Sequence, residues 1–282
     1  MVPTPSPHMR NIKFTIAYDG TDFSGWQLQP GQITVQGTLA DVLEKLTQQR
    51  SAIHAAGRTD AGVHAAGQVL NFKTESSMNV EEFQRAFNAL LPPTIRVNRA
   101  EEVDLDFHSR WDATAKTYRY RIFRGRVVPP FIWKYVVQDF SEMNFYAMAE
   151  AAEFFAGDHD FTSFAASTGS DEDDMERQTV RTIFQSGLSR VPICEDRTGA
   201  EEWVYEVRGR SFMRNMVRKM VGTLLEVGHG KISASAIPAL LALRDRTKSG
   251  ATAPPQGLCL ESVEYSQAEK VARRHGGASA SC

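Results

Sequence analysis

Apolar and polar residues alternate, or recur with helical spacing, along most of the chain, and this pattern predicts a succession of strands and helices. Near the start, Ile12, Phe14 and Ile16 alternate with polar residues, which predicts a strand. The elements predicted for the first half are a strand at 11–17, a helix at 35–48, a short apolar run at 51–55, a strand at 68–73, a helix at 79–90 and a strand at 95–103. This β-α-β-β-α-β order is typical of a ferredoxin-like fold.

The second half repeats the order of elements without a sequence repeat. Its predicted elements are a strand at 117–123, a helix after an N-cap at Ser141, strands at 179–188 and 203–209, helices at 212–227 and 234–243, and a strand at 258–265. We therefore predict an α+β protein of two ferredoxin-like (RRM-like) halves, with a cleft between them that suits an extended polar ligand. The predicted divisions are a disordered tail at 1–10, an N-terminal half at 11–110, a C-terminal half at 111–266 and a disordered tail at 267–282.

A short polar stretch at 56–65 lies between two apolar runs and reads Ala-Gly-Arg-Thr-Asp-Ala-Gly-Val-His-Ala. Gly57 and Gly62 flank a cation, a hydroxyl and a carboxylate in three successive positions. A surface turn needs a Gly or an Asp but no Arg beside the Asp, although an Asx-type turn in a hairpin loop is the alternative. The pattern favours a carboxylate, Asp60, presented at a strand end, with its ionised form stabilised by Arg58.

The predicted helix at 212–227 combines a buried apolar stripe with basic residues on another face. Arg210, Arg214 and Arg218 recur every four residues on that face, and Lys219 joins them. Exposed bases usually mark a solvated face, but no acid occurs from 207 to 225 that could pair with them at i,i+4 spacing. We predict that this face contacts phosphate or pairs with a carboxylate.

The predicted strand at 117–123 places Tyr118 and Tyr120 on one face and two arginines on the other. The simplest interpretation is that both tyrosines belong to the core, and we adopt it for Tyr120. Tyr118 is instead a candidate for stacking on an unpaired RNA base.

The formal net charge of −2 argues at first against a nucleic-acid partner. Nine of the 34 acids, however, lie in two runs at 171–176 and 195–202, and the rest of the chain is net basic. Since the local potential governs binding more than the total charge, a basic face is compatible with this composition.

The three cysteines, Cys194, Cys259 and Cys282, are odd in number and far apart, which favours a reducing cytoplasm. The chain has no apolar run of about 18 residues, so we expect no transmembrane helix. The histidines have no metal-ligand spacing, and motifs for a serine nucleophile, a phosphate-binding loop or a dinucleotide fold are absent. We therefore expect neither a metal nor a cofactor.

The stretch at 57–65 closely resembles the signature of the tRNA pseudouridine synthase A family. Further motifs that resemble the family follow in order over about residues 12–265, at 17–21, 25–27, 35–37, 67–69, 88–92, 107–110, 116–120, 160–164, 212–222, 227–230 and 253–258. Many ordered motifs along a whole chain make a chance match very improbable.

The resemblance implies that the protein isomerises uridine to pseudouridine at tRNA positions 38 to 40, in the anticodon arm, without a metal or cofactor. By similarity, Asp60 is the nucleophile that attacks C1′ of the ribose or C6 of the base, and the motifs do not choose between the two atoms. The resemblance also implies roles for other residues. Tyr118 would pack on the target base and is a candidate for removing the C5 proton, and Arg218 would be the basic partner of the carboxylate. Leu258 would close the uracil pocket, and Arg58 would hold the target out of the RNA stack.

The resemblance also implies a continuous, mostly antiparallel sheet with helices on one face and a central active-site cleft. The family works as a homodimer that binds tRNA across both subunits, so we expect a homodimer and no membrane partner. Arg210, Arg214 and Lys219 are expected to bind the substrate, the two arginines by gripping phosphate without reading sequence.

Two other functions compete with this interpretation. A non-catalytic tRNA- or RNA-binding module would share the basic and aromatic residues but would not need Asp60. An Asp-dependent hydrolase is poorly supported because no second acid or base can be placed. One departure from the family is the acidic run at 170–176, where a short loop is usual, and we expect this run to point away from the RNA.

Overall fold

The computed structural model describes residues 9–166, 179–193 and 200–266. The acidic run at 170–176, the tail at 267–282 and all but the last two residues of the tail at 1–10 therefore lie outside the described residues. The chain forms two compact units. Of the described residues, one unit contains those up to Ala115 and those from Glu261 onward, and the other contains those within Lys116–Leu260.

The first unit follows the predicted β-α-β-β-α-β order. Its elements are β1 (Arg10–Tyr18), α1 (Val35–Thr47), β2 (His54–Ala55), β3 (His64–Thr74), α2 (Val80–Leu90) and β4 (Ile95–Val103). β1 lies between β4 and β3 and is antiparallel to both, and β2 pairs with the other edge of β3. This spatial order of 4-1-3-2 is that of a ferredoxin-like sheet.

Aromatic packing joins the helices of the first unit to its sheet. The Phe14 ring on β1 meets Phe72 on β3 edge-on at 5.2 Å between centroids and Phe87 on α2 at 4.9 Å. α2 begins with a capping box, in which the Asn79 side chain accepts from the Glu82 backbone N–H and the Glu82 carboxylate accepts from the Asn79 N–H. The capping box fixes the start of α2, and the aromatic contacts pack this helix against one face of the sheet.

The second unit has a similar order with two additional short strands. Its elements are β5 (Ala113–Phe123), β6 (Val137–Gln138), α3 (Phe145–Glu153), β7 (Gly157–Asp160), β8 (Val180–Pro192), β9 (Glu201–Gly209), α4 (Met216–Gly228), α5 (Ile237–Leu243) and β10 (Leu258–Tyr265). β5 and β10 pass from one unit into the other. β5, β9, β8 and β7 follow one another in the sheet as antiparallel neighbours, while β6 pairs with β5 in parallel.

The predicted α+β class is confirmed, since the described residues form ten mostly antiparallel strands and five α-helices. β4 and β10 have the predicted bounds, β2 lies within the apolar run predicted at 51–55, and β6 and β7 were not predicted. Among the described residues, no helix combines the length and the apolar character needed to cross a bilayer.

Two predicted helix starts were wrong. α3 is capped by Asn144, whose side chain accepts from the Ala147 N–H, and not by Ser141. α4 begins at Met216 rather than at 212, because Asn215 has a left-handed backbone with φ of 58° that a right-handed helix cannot include. The apolar residues before it do not belong to the helix; Phe212 packs edge-on against Tyr118, 5.1 Å between ring centroids.

Candidate active site

The loop that carries Asp60, residues 56–63, connects β2 to β3 in the first unit. Its start is fixed to the adjacent strand in two places. The Ala56 N–H donates to the Val69 carbonyl at 2.8 Å, and the Gln68 side-chain amide donates to the Gly57 carbonyl at 2.8 Å. The start of the loop therefore runs alongside β3.

The middle of this loop is held by residues at the end of β1 and just after it. The Trp26 N–H donates to the Thr59 carbonyl at 3.0 Å, and the Tyr18 hydroxyl lies 2.8 Å from the buried Thr59 hydroxyl. The Gly62 N–H donates to the Phe23 carbonyl at 3.3 Å, on the other side of Asp60. Because hydrogen bonds fix the backbone on both sides, the position of the Asp60 Cα is strongly constrained.

Gly25 explains why the residues after β1 can approach this loop so closely. It has a φ of 93°, which favours glycine, and a Cβ there would lie 2.9 Å from the Thr59 carbonyl oxygen and 3.1 Å from the Ala61 nitrogen. A side chain at this position would push directly on the backbone that presents Asp60. The glycine thus belongs to the support of the loop.

The buried side chain of His64 closes the end of the loop. Its Nδ1 accepts from the Gly20 N–H at 3.0 Å and lies 3.2 Å from an Asp19 carboxylate oxygen. The same oxygen accepts from the Thr21 N–H at 3.0 Å. Through these contacts His64, the first residue of β3, connects this strand to the turn after β1.

Asp60 and Arg58 lie two positions apart on this supported loop, with Asp60 half-buried and Arg58 exposed. A half-buried carboxylate remains accessible to a ligand while its backbone is fixed. This combination suits a nucleophile, because a nucleophile must meet its target atom in a defined geometry.

Arg218, in the first turns of α4 in the second unit, has a guanidinium with defined acceptors. Its Nε donates to the Ala253 carbonyl at 2.7 Å, and its Nη1 donates to the Asn215 side-chain oxygen at 3.2 Å. The Ala253 N–H in turn donates to the Arg218 carbonyl at 3.1 Å. The side chain is thus held in one direction by Ala253, which lies ahead of β10, and by the residue that precedes α4.

The two tyrosines of β5 have different surroundings. Tyr120 is fully buried and its hydroxyl donates to the Pro254 carbonyl at 2.9 Å. Burial raises the pKa of the Tyr120 hydroxyl, and the positive charge of Arg218 opposes that rise. Tyr118 is also buried and packs edge-on against Phe212.

Leu258, the residue expected to close the uracil pocket, is buried at the start of β10. It directly follows a 3-10 turn at Pro255–Gly257, and its N–H donates to the Pro255 carbonyl. Gly257 lies against the Tyr120 ring, where an added Cβ would be 2.7 Å from Cζ. The residues of 253–258 are therefore packed around both Tyr120 and Arg218.

The predicted basic residues do not all lie in α4, because the helix begins at Met216 and not at 212. The prediction that Arg210, Arg214 and Arg218 share one helix face was wrong, because only Arg218 lies in the helix. Arg210 follows β9 directly and its N–H donates to the Thr182 carbonyl at 3.0 Å, while Arg214 lies in the turn before α4. Both side chains are exposed, and their contact with phosphate stays a prediction.

Lys219 is partly buried, and its ammonium donates to the Arg246 carbonyl at 3.0 Å and to the Ser249 hydroxyl at 3.1 Å. Burial lowers the pKa of Lys219, and the charge of Arg246 lowers it further. These contacts give Lys219 a structural task in holding the 246–249 turn, and its predicted role in binding substrate is not tested by them.

The predicted site residues thus fall into two sets. Asp60 and Arg58 share a loop of the first unit, and Arg218, Tyr118 and Leu258 belong to the second unit. That the two sets act together stays a prediction. In the part of the chain that the structure describes, no three His, Cys, Asp or Glu side chains are grouped in a way that could hold a metal ion.

Several supporting residues were not predicted from the sequence. Asn215, Tyr18 and Thr59 each contact a predicted site residue or its loop through a side chain. An asparagine just before a helix usually suggests a cap, but Asn215 makes no capping hydrogen bond and holds Arg218 instead. Ala253 contributes only its backbone, and a backbone acceptor has no signal in the pattern of side chains.

Comparison with known proteins gives one consistent result. A family model described as tRNA pseudouridine synthase matches residues 15–112 and 151–266. A tRNA pseudouridine synthase A of Solibacter usitatus is 46% identical over 258 residues, which cover 91% of this chain and 100% of that protein. The proteins of the same description from Geotalea daltonii and Brevibacillus brevis are 43% and 42% identical over 257 residues, each again covering 91% of this chain and 100% of the relative.

Proposed function

This chain belongs to the tRNA pseudouridine synthase family and is therefore an isomerase, and we propose that it converts the uridines at positions 38 to 40 of tRNA to pseudouridine with Asp60 as the nucleophile. The observation that carries the proposal is the support of the Asp60 loop, which fixes the backbone on both sides of a half-buried carboxylate. If residues 56–65 were only an Asx-type turn, or if the protein only bound RNA, Asp60 would not need a backbone supported in this way.

In the proposed reaction, an Asp60 oxygen attacks either C1′ of the ribose or C6 of the base. The bond between C1′ and N1 breaks, the uracil turns, and C5 bonds to C1′. The bond that Asp60 formed to C1′ or C6 breaks again in the course of this exchange, which regenerates the carboxylate. The C5 proton is then lost and N1 gains a proton, so the product is an isomer and no external reactant is consumed. The target base must leave the RNA stack to reach the carboxylate, because a stacked base does not expose these atoms.

The second unit contributes the other proposed roles. Arg218 pairs with the carboxylate, and its fixed direction supports that role because a guanidinium held by Ala253 and Asn215 loses little freedom on pairing. Tyr118 packs on the target base, Leu258 closes the pocket around it, and Arg58 keeps the base out of the RNA stack. Arg210, Arg214 and Lys219 are proposed to bind the RNA backbone.

We further propose the anticodon arm of tRNA as the bound region, a homodimer as the working form and the cytoplasm as the location. That the relatives are tRNA pseudouridine synthases A supports tRNA as the substrate. The homodimer rests on the resemblance to the family, and the cytoplasm rests on the odd number and wide spacing of the cysteines.

The test is Asp60→Asn, which keeps the size of the side chain and removes its charge. We expect pseudouridine formation to fall by roughly 10⁴-fold or more, as for other nucleophiles, while tRNA binding is retained. Asp41→Asn, at an exposed position of α1, is the matched control and should leave both unchanged. Substantial activity in Asp60→Asn would refute the nucleophile, and a wild-type protein that binds tRNA without modifying it would favour a binding module.

A further inference from the structure

A loop at 125–136, between β5 and β6, has a fixed base. Val137 and Gln138 pair in parallel with Ile122 and Phe123. The Gln138 side-chain amide donates to the carbonyls of Gly125 and Arg126 at 2.9 and 2.7 Å, across the mouth of the loop. We call residues 125–136 the arm loop.

Internal turns and one buried anchor also order the arm loop. The Ile132 N–H donates to the Pro129 carbonyl at 3.1 Å, and the Tyr135 N–H donates to the Ile132 carbonyl at 2.8 Å. Val136 is buried with 2% of its surface exposed. Two adjacent prolines, at 129 and 130, restrict the backbone further. The loop therefore presents its side chains on a defined framework.

The arm loop exposes large apolar side chains. Phe131 is 90% exposed, Val127 is 82% exposed and Trp133 is 58% exposed. Single exposed apolar residues are common, but three large ones within seven residues of an ordered loop are typical of a binding surface.

The charge of the arm loop identifies the chemistry of a partner. Bases occur at Arg126, which is exposed, and at Lys134, whose ammonium lies 5.9 Å from the centre of the Trp133 ring. No acid occurs from 124 to 138. Aromatic rings interleaved with bases and free of acids suit a single-stranded nucleic acid, since the rings stack on bases and the cations meet phosphates.

The arm loop also lies next to a segment with a proposed role. Its turn at Trp133–Tyr135 packs against the turn at Pro255–Gly257, and the next residue is Leu258. A nucleotide that flanks a base held at Leu258 would be close to the arm loop.

We propose that the arm loop binds unpaired nucleotides of the tRNA that flank the target uridine. Phe131 and Trp133 stack on bases, and Arg126 and Lys134 contact phosphates. This proposal rests on the proposed function, because it takes the substrate and the role of Leu258 from it.

The test measures tRNA binding and steady-state kinetics of Phe131→Ala and Trp133→Ala. We expect each change to weaken tRNA binding and to raise KM by about 10-fold, while kcat at saturating tRNA stays within about twofold, because stacking on flanking bases adds affinity and not chemistry. Phe140→Ala is the matched control, since Phe140 is a 59% exposed aromatic residue of the same unit outside the arm loop. All three positions are exposed, so thermal unfolding should be unchanged.

Salt dependence separates stacking from phosphate contact. The aromatic variants should weaken binding by the same factor at every salt concentration, whereas Arg126→Ala and Lys134→Ala should each reduce the slope of log Kd against log salt by about 1. Unchanged affinity in both aromatic variants would overturn the proposal.

Two further outcomes are decisive. If Phe131→Ala and Trp133→Ala shift the sedimentation of the protein without tRNA to a smaller species, the arm loop is a contact between copies of this chain and the proposal is wrong. If the binding loss is repeated in the Asp60→Asn background, the arm loop contributes to binding whether or not Asp60 is the nucleophile, so the two proposals can fail separately.

Discussion

The two segments that carry the charged site residues are supported in different ways. Around Asp60, backbone groups fix the loop, with hydrogen bonds from Trp26 and Gly62 on its two sides. Around Arg218, the side chain itself is fixed, by the Ala253 carbonyl and the Asn215 amide. The carboxylate is therefore placed by the path of the chain, and the guanidinium by acceptors that surround it.

This difference predicts different sensitivities. The Asp60 loop should be most sensitive to added volume where another backbone segment approaches it, because no side-chain adjustment can relieve such a contact. The Arg218 segment should tolerate changes in volume better but should respond to the loss of a single acceptor. Variants can be chosen that separate these two kinds of support.

The largest effect is expected for Gly25→Ala, compared with Gly31→Ala. Both glycines have positive φ, 93° and 71°, so both changes carry the backbone strain of about 1 kcal/mol. Only Gly25 has the backbone of the Asp60 loop within 3.2 Å of an added Cβ, while Gly31 has nothing within 4 Å. We expect Gly25→Ala to lower the free energy of unfolding by a further ~1–3 kcal/mol, measured by urea denaturation.

Activity should follow the same contrast. Because we propose Asp60 as the nucleophile and a displaced nucleophile reacts poorly, Gly25→Ala should reduce the rate of pseudouridine formation by about 100-fold, and Gly31→Ala should leave it nearly unchanged. Equal effects of the two substitutions on rate would show that close packing against the loop does not position Asp60.

An intermediate effect is expected for Asn215, which has a left-handed backbone and also accepts from Arg218. Asn215→Gly keeps the backbone conformation and removes the acceptor, whereas Asn215→Asp keeps an acceptor. We expect kcat to fall about 10-fold in Asn215→Gly with KM unchanged, and to recover in most part in Asn215→Asp, because a hydrogen bond to a charged group is worth about 1.5–3 kcal/mol. A wild-type kcat in Asn215→Gly would leave Asn215 with a backbone role only.

The contrast between the two segments also explains which features could be predicted from the sequence and which could not. The order of elements in the first unit followed from periodicity, since each strand and helix there has its own apolar pattern. The Asp60 loop was recognisable because its glycines, arginine and aspartate are all side-chain signals. The alternation that predicted β10 and β4 likewise identified their bounds.

The errors arose where backbone conformation, and not side-chain pattern, decides the structure. Phe212 continues the apolar period of α4, but it packs on Tyr118 and the left-handed Asn215 separates it from the helix. The Ala253 carbonyl that orients Arg218 has no side-chain signal at all. The sequence therefore identified Arg218 by resemblance but could not show how its direction is fixed.

The smallest effect is expected for the hydrogen bond between Tyr18 and Thr59, through which a side chain of β1 supports the Asp60 loop. Tyr18→Phe and Thr59→Val should each lower the free energy of unfolding by about 1–2 kcal/mol, because both groups are buried and each change leaves a hydroxyl without this partner. The double variant should cost less than the sum of the two, since it removes both hydroxyls together. The rate of pseudouridine formation should fall by less than about 10-fold in all three, because the hydrogen bonds of the backbone still fix the loop. A rate loss in Tyr18→Phe as large as that in Gly25→Ala would contradict the view that the path of the chain, rather than any one side chain, places Asp60.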